Sequence, residues 1–210
     1  MRILAAVAIA GAALAAAATA AAPVTLTLAS SAPAVAYGKS IALTGILSTK
    51  RANQPVSISA LQCGTTNAKK VATVKTVTNG AYKAAVTPVV GTTYQATQKK
   101  LKSNTVAVAV APVVKLMRVK RGSYTASVTA GLDLKGKAIL FQRYSKVKKR
   151  WVQVKRVVLA TSAAGTPKPT VVSSVSFTAK APKRARVRAA ISKAQAAPCY
   201  VKATSNVVRA

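Results

Sequence analysis

Arg184, Arg186 and Arg188 stand at alternate positions, spaced by Ala185 and Val187 and followed by Ala189. Successive side chains of a β-strand point to opposite faces. This spacing therefore predicts three guanidinium groups on one face and small apolar groups on the other. A guanidinium is a planar fork of donors that can pair bidentately with phosphate or carboxylate. A second basic group, Arg143, Lys146, Lys148, Lys149, Arg150, Lys155 and Arg156, falls across a strand–loop–strand hairpin. The chemistry on offer is ion pairing with a polyanion through many weak contacts that displace counterions and weaken with salt. The candidate polyanion-binding residues are Arg143, Lys148, Lys149, Arg150, Arg184, Arg186 and Arg188.

Bond-making chemistry has far less to work with. The chain has no His and a single acidic residue, Asp133. General acid–base catalysis draws mainly on His, Asp and Glu. Paired carboxylates, Ser-His-Asp triads and carboxylate metal cages cannot be built from one Asp and two Cys. The expectation is a non-enzyme with no cofactor, no metal site and no small-molecule substrate. Gly38-Lys39-Ser40 matches the end of a phosphate-binding loop, but position 33 is Pro where that loop needs Gly, and a strand follows instead of a helix. The spacing of Cys63 and Cys199 excludes a zinc ribbon or a CxxC redox pair. In an oxidising compartment the two can pair with each other, the alternatives being free thiols or a bridge to another chain.

The charge is lopsided in total and in placement. Lys and Arg number 33 against one Asp, a formal net charge of +32, while 51% of the residues are hydrophobic. That apolar share is too high for a disordered basic tail. Residues 23–111 carry 10 Lys or Arg and residues 112–210 carry 22. Mixed charges would serve solubility as well. A surface almost without acids repels itself unless counterions or a polyanion screen it, which favours polyanion association over a purely solvating role.

These side chains need a frame. Met1-Arg2, an apolar run over 3–18 and alanines over 18–22 read as an export signal with a small-residue cleavage site, giving a signal peptide over 1–22. An uncleaved anchor is the alternative, since residues 3–22 are just long enough to span a bilayer. Beyond residue 23 the pattern is period-2 alternation broken by turn residues. Strands are expected at 24–29, 41–47, 56–62, 71–77, 81–87, 93–97 and 105–110, with Asn79-Gly80 the best hairpin signal. A second series is expected at 113–119, 124–130, 137–144, 151–159, 172–179, 185–191 and 203–209. Seven short strands in such a span match an immunoglobulin-like sandwich. The chain also repeats itself. Ser103-Asn104-Thr105-Val106 is echoed by Ser205-Asn206-Val207-Val208, and 54–58 aligns with 136–140. The fold expected is all-β, with two tandem sandwich domains at 23–111 and 112–210.

Val24-Thr25-Leu26-Thr27-Leu28, Tyr37-Gly38-Lys39-Ser40-Ile41-Ala42-Leu43-Thr44-Gly45 and Asn79-Gly80-Ala81-Tyr82 resemble secreted bacterial Ig-like domains. So do Thr93-Tyr94-Gln95-Ala96 and Ser103-Asn104-Thr105-Val106. The resemblance covers the first domain fully and the second less evenly, where 163–170 reads as an insertion between strands. It implies a secreted or cell-surface module that spaces, adheres or binds, and it transfers no catalytic residues.

Two aromatic residues carry separate expectations. Tyr94 stands where a sandwich can place a tyrosine corner, and core packing is the expected role. Trp151, the only Trp, is expected to cap the core or lie half-buried, with stacking on a sugar or base as the alternative. The function expected is electrostatic association with an anionic cell-envelope polymer, teichoic or uronic, or with an acidic lipid surface. The alternatives are a spacer or adhesin module with a protein partner, and extracellular nucleic-acid binding.

Overall fold

Burial follows the period-2 pattern strand by strand. Thr92–Gln98 and Ser123–Ala130 each alternate buried and half-buried positions from end to end, which is how a strand presents one face to a core and the other outward. The structure, a computed structural model, describes residues 23–210. The export signal expected at 1–22 lies outside the described residues.

The first half contains β1 (Ala29–Ser30), β2 (Ala34–Ala36), β3 (Ile41–Ile46), β4 (Pro55–Gln62), β5 (Lys69–Lys75), β6 (Ala81–Val86), β7 (Thr92–Gln98) and β8 (Leu101–Ala111). They form a β1-β3-β6 sheet and a β2-β8-β7-β4-β5 sheet. Leu43, Leu47, Val56, Ile58, Tyr94 and Val108 belong to one shared core. Tyr94, only 2% exposed, packs there as expected.

The second half contains β9 (Val113–Lys120), β10 (Ser123–Ala130), β11 (Ala138–Ser145), β12 (Arg150–Val158), β13 (Thr161–Gly165), β14 (Thr170–Thr178) and β15 (Arg186–Ile191). A single-turn helix, α1 (Lys193–Ala196), and the short strands β16 (Ala203–Thr204) and β17 (Val208–Arg209) follow. The sheets are β13-β14-β10-β9 and β12-β11-β15-β16, with β17 also paired to β15. Tyr124, Phe141 and Phe177 meet in their core, the Tyr124 ring 4.8 Å from Phe141 and 5.8 Å from Phe177 between centroids. Offset and tilted pairs of this kind contribute about 0.5–1.5 kcal/mol each beyond area burial.

The repeat has a hydrogen-bonded counterpart. Ala96 N–H donates to Ser103 Oγ at 2.9 Å, and Ala189 N–H donates to Ser205 Oγ at 2.9 Å. That makes Ala96 equivalent to Ala189. The register follows, because Ile58 faces Ala96 as Phe141 faces Ala189. The β4–β5 ladder slips after Ile58 and the β11–β12 ladder slips after Phe141, so both copies carry a bulge at the same place. Val56 is therefore equivalent to Ile139, and the expected alignment of 54–58 with 136–140 is off by one. A one-residue slip exchanges the faces of every side chain.

Several boundaries differ from expectation. The 24–29 stretch forms only a bridge from Leu26 to Leu47 before β1. The 163–170 stretch expected as an insertion instead holds the end of β13 and the turn that hairpins it to β14. Its small residues and the prolines at 167 and 169 hide it from a propensity reading. The strand expected at 203–209 splits into β16 and β17, and between them the Ser205 side chain takes the Ala189 N–H.

The halves are tied by more than the chain. Cys63 and Cys199 form a disulfide, with Cα atoms 5.3 Å apart. Gly91 N–H donates to the Cys199 carbonyl at 2.9 Å and Val201 N–H to the Val110 carbonyl at 3.0 Å. The Tyr200 hydroxyl accepts from Gly131 and Leu132 N–H, each at 2.9 Å, and donates to the Val89 carbonyl at 3.1 Å. The second core also takes in Val90 and Val110 from the first half.

Candidate polyanion interface

Register fixes the faces of the β12-β11-β15 sheet. Ile139, Phe141, Val187, Ala189 and Ile191 are buried at 1% exposure or less, so their intervening neighbours point outward. Gln142 faces Arg188 across β11–β15, and Tyr144 faces Trp151 across β11–β12. The outer face thus gathers Gln142, Tyr144, Trp151, Gln153, Arg186 and Arg188.

The two arginines on this face are held, not loose. The Arg188 guanidinium lies 4.2 Å from the Trp151 ring centroid, and its Nε donates to Gln142 Oε1 at 2.8 Å. Arg186 sits 5.3 Å from the Tyr144 ring and 6.0 Å from Trp151. The two rings meet edge to face at 5.5 Å. Stacking of this kind contributes about 0.5–1 kcal/mol at an exposed site and leaves the outer N–H groups free for a ligand. Burial pulls the Arg188 pKa below its ordinary value. Arg209 joins the cluster, opposite Arg186 in the β15–β17 pair.

Trp151 is half-buried as expected. It lies on the outer face and does not cap the core. It is also already stacked on protein cations, with one ring face taken by Arg188.

The expected row of three arginines is corrected to two. Arg184 lies in a turn before β15, with a left-handed φ of 61°, and its N–H donates to the Ala210 carbonyl at 3.0 Å. The strand alternation that sets Arg186 and Arg188 on one face does not reach it. Arg143 shares the parity of Phe141 and faces Val187, so its position is on the core side of the sheet. Its Nε is buried with no hydrogen-bond partner among the described residues. Lys148, Lys149 and Arg150 sit exposed at the β11–β12 tip, Lys149 with φ 47°. Val147, in the same tip, is 94% exposed. Lys155 reaches the neighbouring sheet and donates to the Thr178 carbonyl at 2.9 Å.

Asp133 stands apart, in the connection before β11, at the far end of that strand from the basic tip. Its Oδ1 accepts from Lys135 N–H and Ser162 Oγ, both at 2.8 Å, and from Ser173 Oγ at 3.0 Å. The Lys135 backbone bond, then the Ser162 hydroxyl, hold its pKa below the usual carboxylate value.

One cleft borders the face and a second lies elsewhere. The first, of about 420 Å³, lies beside the basic tip and is lined by Arg143, Tyr144, Lys146, Lys183, Arg184 and Arg186 among others. A larger apolar groove of about 620 Å³, lined by Leu28, Ile46, Val77 and Tyr82 among others, lies in the first half, away from the arginine cluster. Gln142, Tyr144 and Arg209 were not singled out in the sequence. The alternation of Gln142 and Tyr144 with Phe141 was readable, but their cross-strand neighbours were not.

Among the described residues no three His, Cys, Asp or Glu side chains cluster as metal ligands, and no helix is long and apolar enough to cross a membrane. Compared with known proteins, the chain matches no protein-family model and no curated protein.

Proposed function

We propose that this is an exported, non-enzymatic protein of two tandem Ig-like sandwich domains, 23–111 and 112–210, that associates with anionic envelope polymers. The observation that carries the reading is the pair Arg186 and Arg188, oriented by Tyr144, Trp151 and Gln142 on an outer sheet face. That face runs toward the Lys148, Lys149 and Arg150 tip. Pre-oriented guanidinium groups lose little entropy when a phosphate or carboxylate arrives. The matched bulges and Ser–Asn clamps support the tandem reading. The Cys63–Cys199 bond supports an oxidising, extracytoplasmic location.

Retention on an anionic matrix measured against salt tests the idea. Each phosphate contact contributes a slope of roughly 0.9 in log affinity against log salt. Arg186→Ser with Arg188→Ser should therefore lower that slope by about 2 and bring elution to lower salt. Elution unchanged in the double variant, or wild-type retention insensitive to salt, would overturn the proposal. Tight capture of DNA over an acidic polysaccharide would redirect it toward nucleic acid.

A further inference from the structure

We infer that the cleft beside the β11–β12 tip is a docking site for one phosphate group, a discrete anchor within the wider electrostatic face. The inference deepens the polyanion reading and rests on it.

The two copies of the fold show how the cleft arises. In the first half Ala60 faces Tyr94 across the sheet, and both are buried. The equivalent pair in the second half is Arg143 facing Val187. Small against large has become large against small. A guanidinium-bearing side chain thus occupies a position that its counterpart fills with alanine, opposite a valine where the counterpart carries a tyrosine ring.

That side chain has a buried Nε with no acceptor among the described residues. Leaving a buried donor unpaired is costly, and more so on a charged group. The cleft that Arg143 lines is also lined by Lys146 from the hairpin tip, by Lys183 and Arg184 from the turn before β15, and by Arg186 from its first position. Basic residues from three separate segments thus line one space of about 420 Å³. The only carboxylate side chain in the chain, Asp133, is hydrogen-bonded at the other end of β11. A planar monoanionic carboxylate can satisfy one or two of these groups. A tetrahedral phosphate offers three or four acceptor oxygens and up to two charges, and it matches donors converging from several directions.

The test uses the exported protein in calorimetric titrations with three probes. These are a soluble poly(glycerol phosphate) oligomer, polygalacturonate of similar length, and vesicles of phosphatidylglycerol in phosphatidylcholine. The phosphate oligomer should bind at least tenfold tighter than polygalacturonate. Arg143→Gln should weaken phosphate binding about tenfold and leave polygalacturonate binding within twofold. Arg184→Gln, at an exposed turn position, should weaken phosphate binding in the same direction and guards against a folding defect in the first variant. Vesicle binding lost in both variants would identify a lipid headgroup as the source, and oligomer binding lost in both would identify a polymer. Equal affinity for the two soluble polymers, or phosphate binding unchanged in both variants, would overturn the cleft while leaving the broad face intact. No binding to any probe at low salt would remove the broad reading as well.

Discussion

Asn206 grips Leu116 by both ends of its side-chain amide: Leu116 N–H donates to Oδ1 at 3.0 Å, and Nδ2 donates to the Leu116 carbonyl at 3.0 Å. Asn104 holds Leu28 in the same way, at 3.0 and 2.9 Å. In each half an exposed asparagine stands in for a missing strand partner, satisfying the backbone of an edge segment that would otherwise open to water. Replacing Asn206 by Ala should cost about 1–3 kcal/mol, since two hydrogen bonds vanish and a half-buried backbone pair loses its partners. Asn206→Asp should recover only part of this, because a carboxylate cannot donate to the Leu116 carbonyl. Urea unfolding checks both, the expected outcome being a lower midpoint at unchanged slope.

Opening the Cys63–Cys199 bond should be the largest single destabilisation available. The cysteines are 136 positions apart, and closing so long a loop removes on the order of 5 kcal/mol of unfolded-chain entropy in the chain-entropy model. Denaturation with and without reductant, set beside the Cys63→Ala, Cys199→Ala double variant, measures it. Reduction should lower the midpoint of the native protein and leave the double variant unmoved.

Trp151 offers a direct optical readout of the basic face. It is the only Trp in the chain, and it is stacked under Arg188. Binding a polyanion should change its emission, because the guanidinium above it changes partners. The change should vanish in Arg188→Gln and persist in a variant of a remote lysine such as Lys69→Gln. Fluorescence titration with the phosphate oligomer decides the point.

Alkaline pH should loosen the first half through Tyr82. Its hydroxyl donates to the Thr27 carbonyl, and burial pushes its pKa from 10.0 up to about 12. A phenol whose folded pKa is raised holds its proton better when folded. The stability this gives is fully present below the unfolded value near 10 and is lost as pH climbs toward about 12. Midpoints measured from pH 9 to 12 should fall more steeply in the native protein than in Tyr82→Phe, which has no such proton to lose.

Much of this was legible in the residues, and the parts that were not share a cause. Alternation around Val187 and Ala189 located β15, and Asn79-Gly80 located the turn between β5 and β6, although no hairpin forms there because β5 pairs with β4 and β6 with β3 in separate sheets. The Ser-Asn repeat was visible as a motif, although nothing in one chain shows that each serine caps an N–H of a neighbouring strand. What alternation cannot supply is the partner. Without register, Arg143 reads as another member of a basic cluster, whereas its pairing with Val187 puts it on the core side. The half-burial of Trp151 is legible, but its cover is not, because the guanidinium groups over it come from a strand 35 or more residues later in the sequence. Arg184 follows the same alternation as Arg186, but a left-handed φ of 61° puts it in the turn before the strand.

The disulfide also decides how the molecule would carry a pull. With Cys63 joined to Cys199, everything from β9 through β15 lies inside a covalently closed ring of chain. Tension between the segment before Cys63 and the segment after Cys199 would pass from sulfur to sulfur and bypass that ring. β16 and β17 lie outside it, and although both pair with β15 they would peel from that sheet first. β11, β12 and β15, which bear Trp151, Arg186 and Arg188, lie inside the ring and would stay unstretched while the segments outside it take the strain.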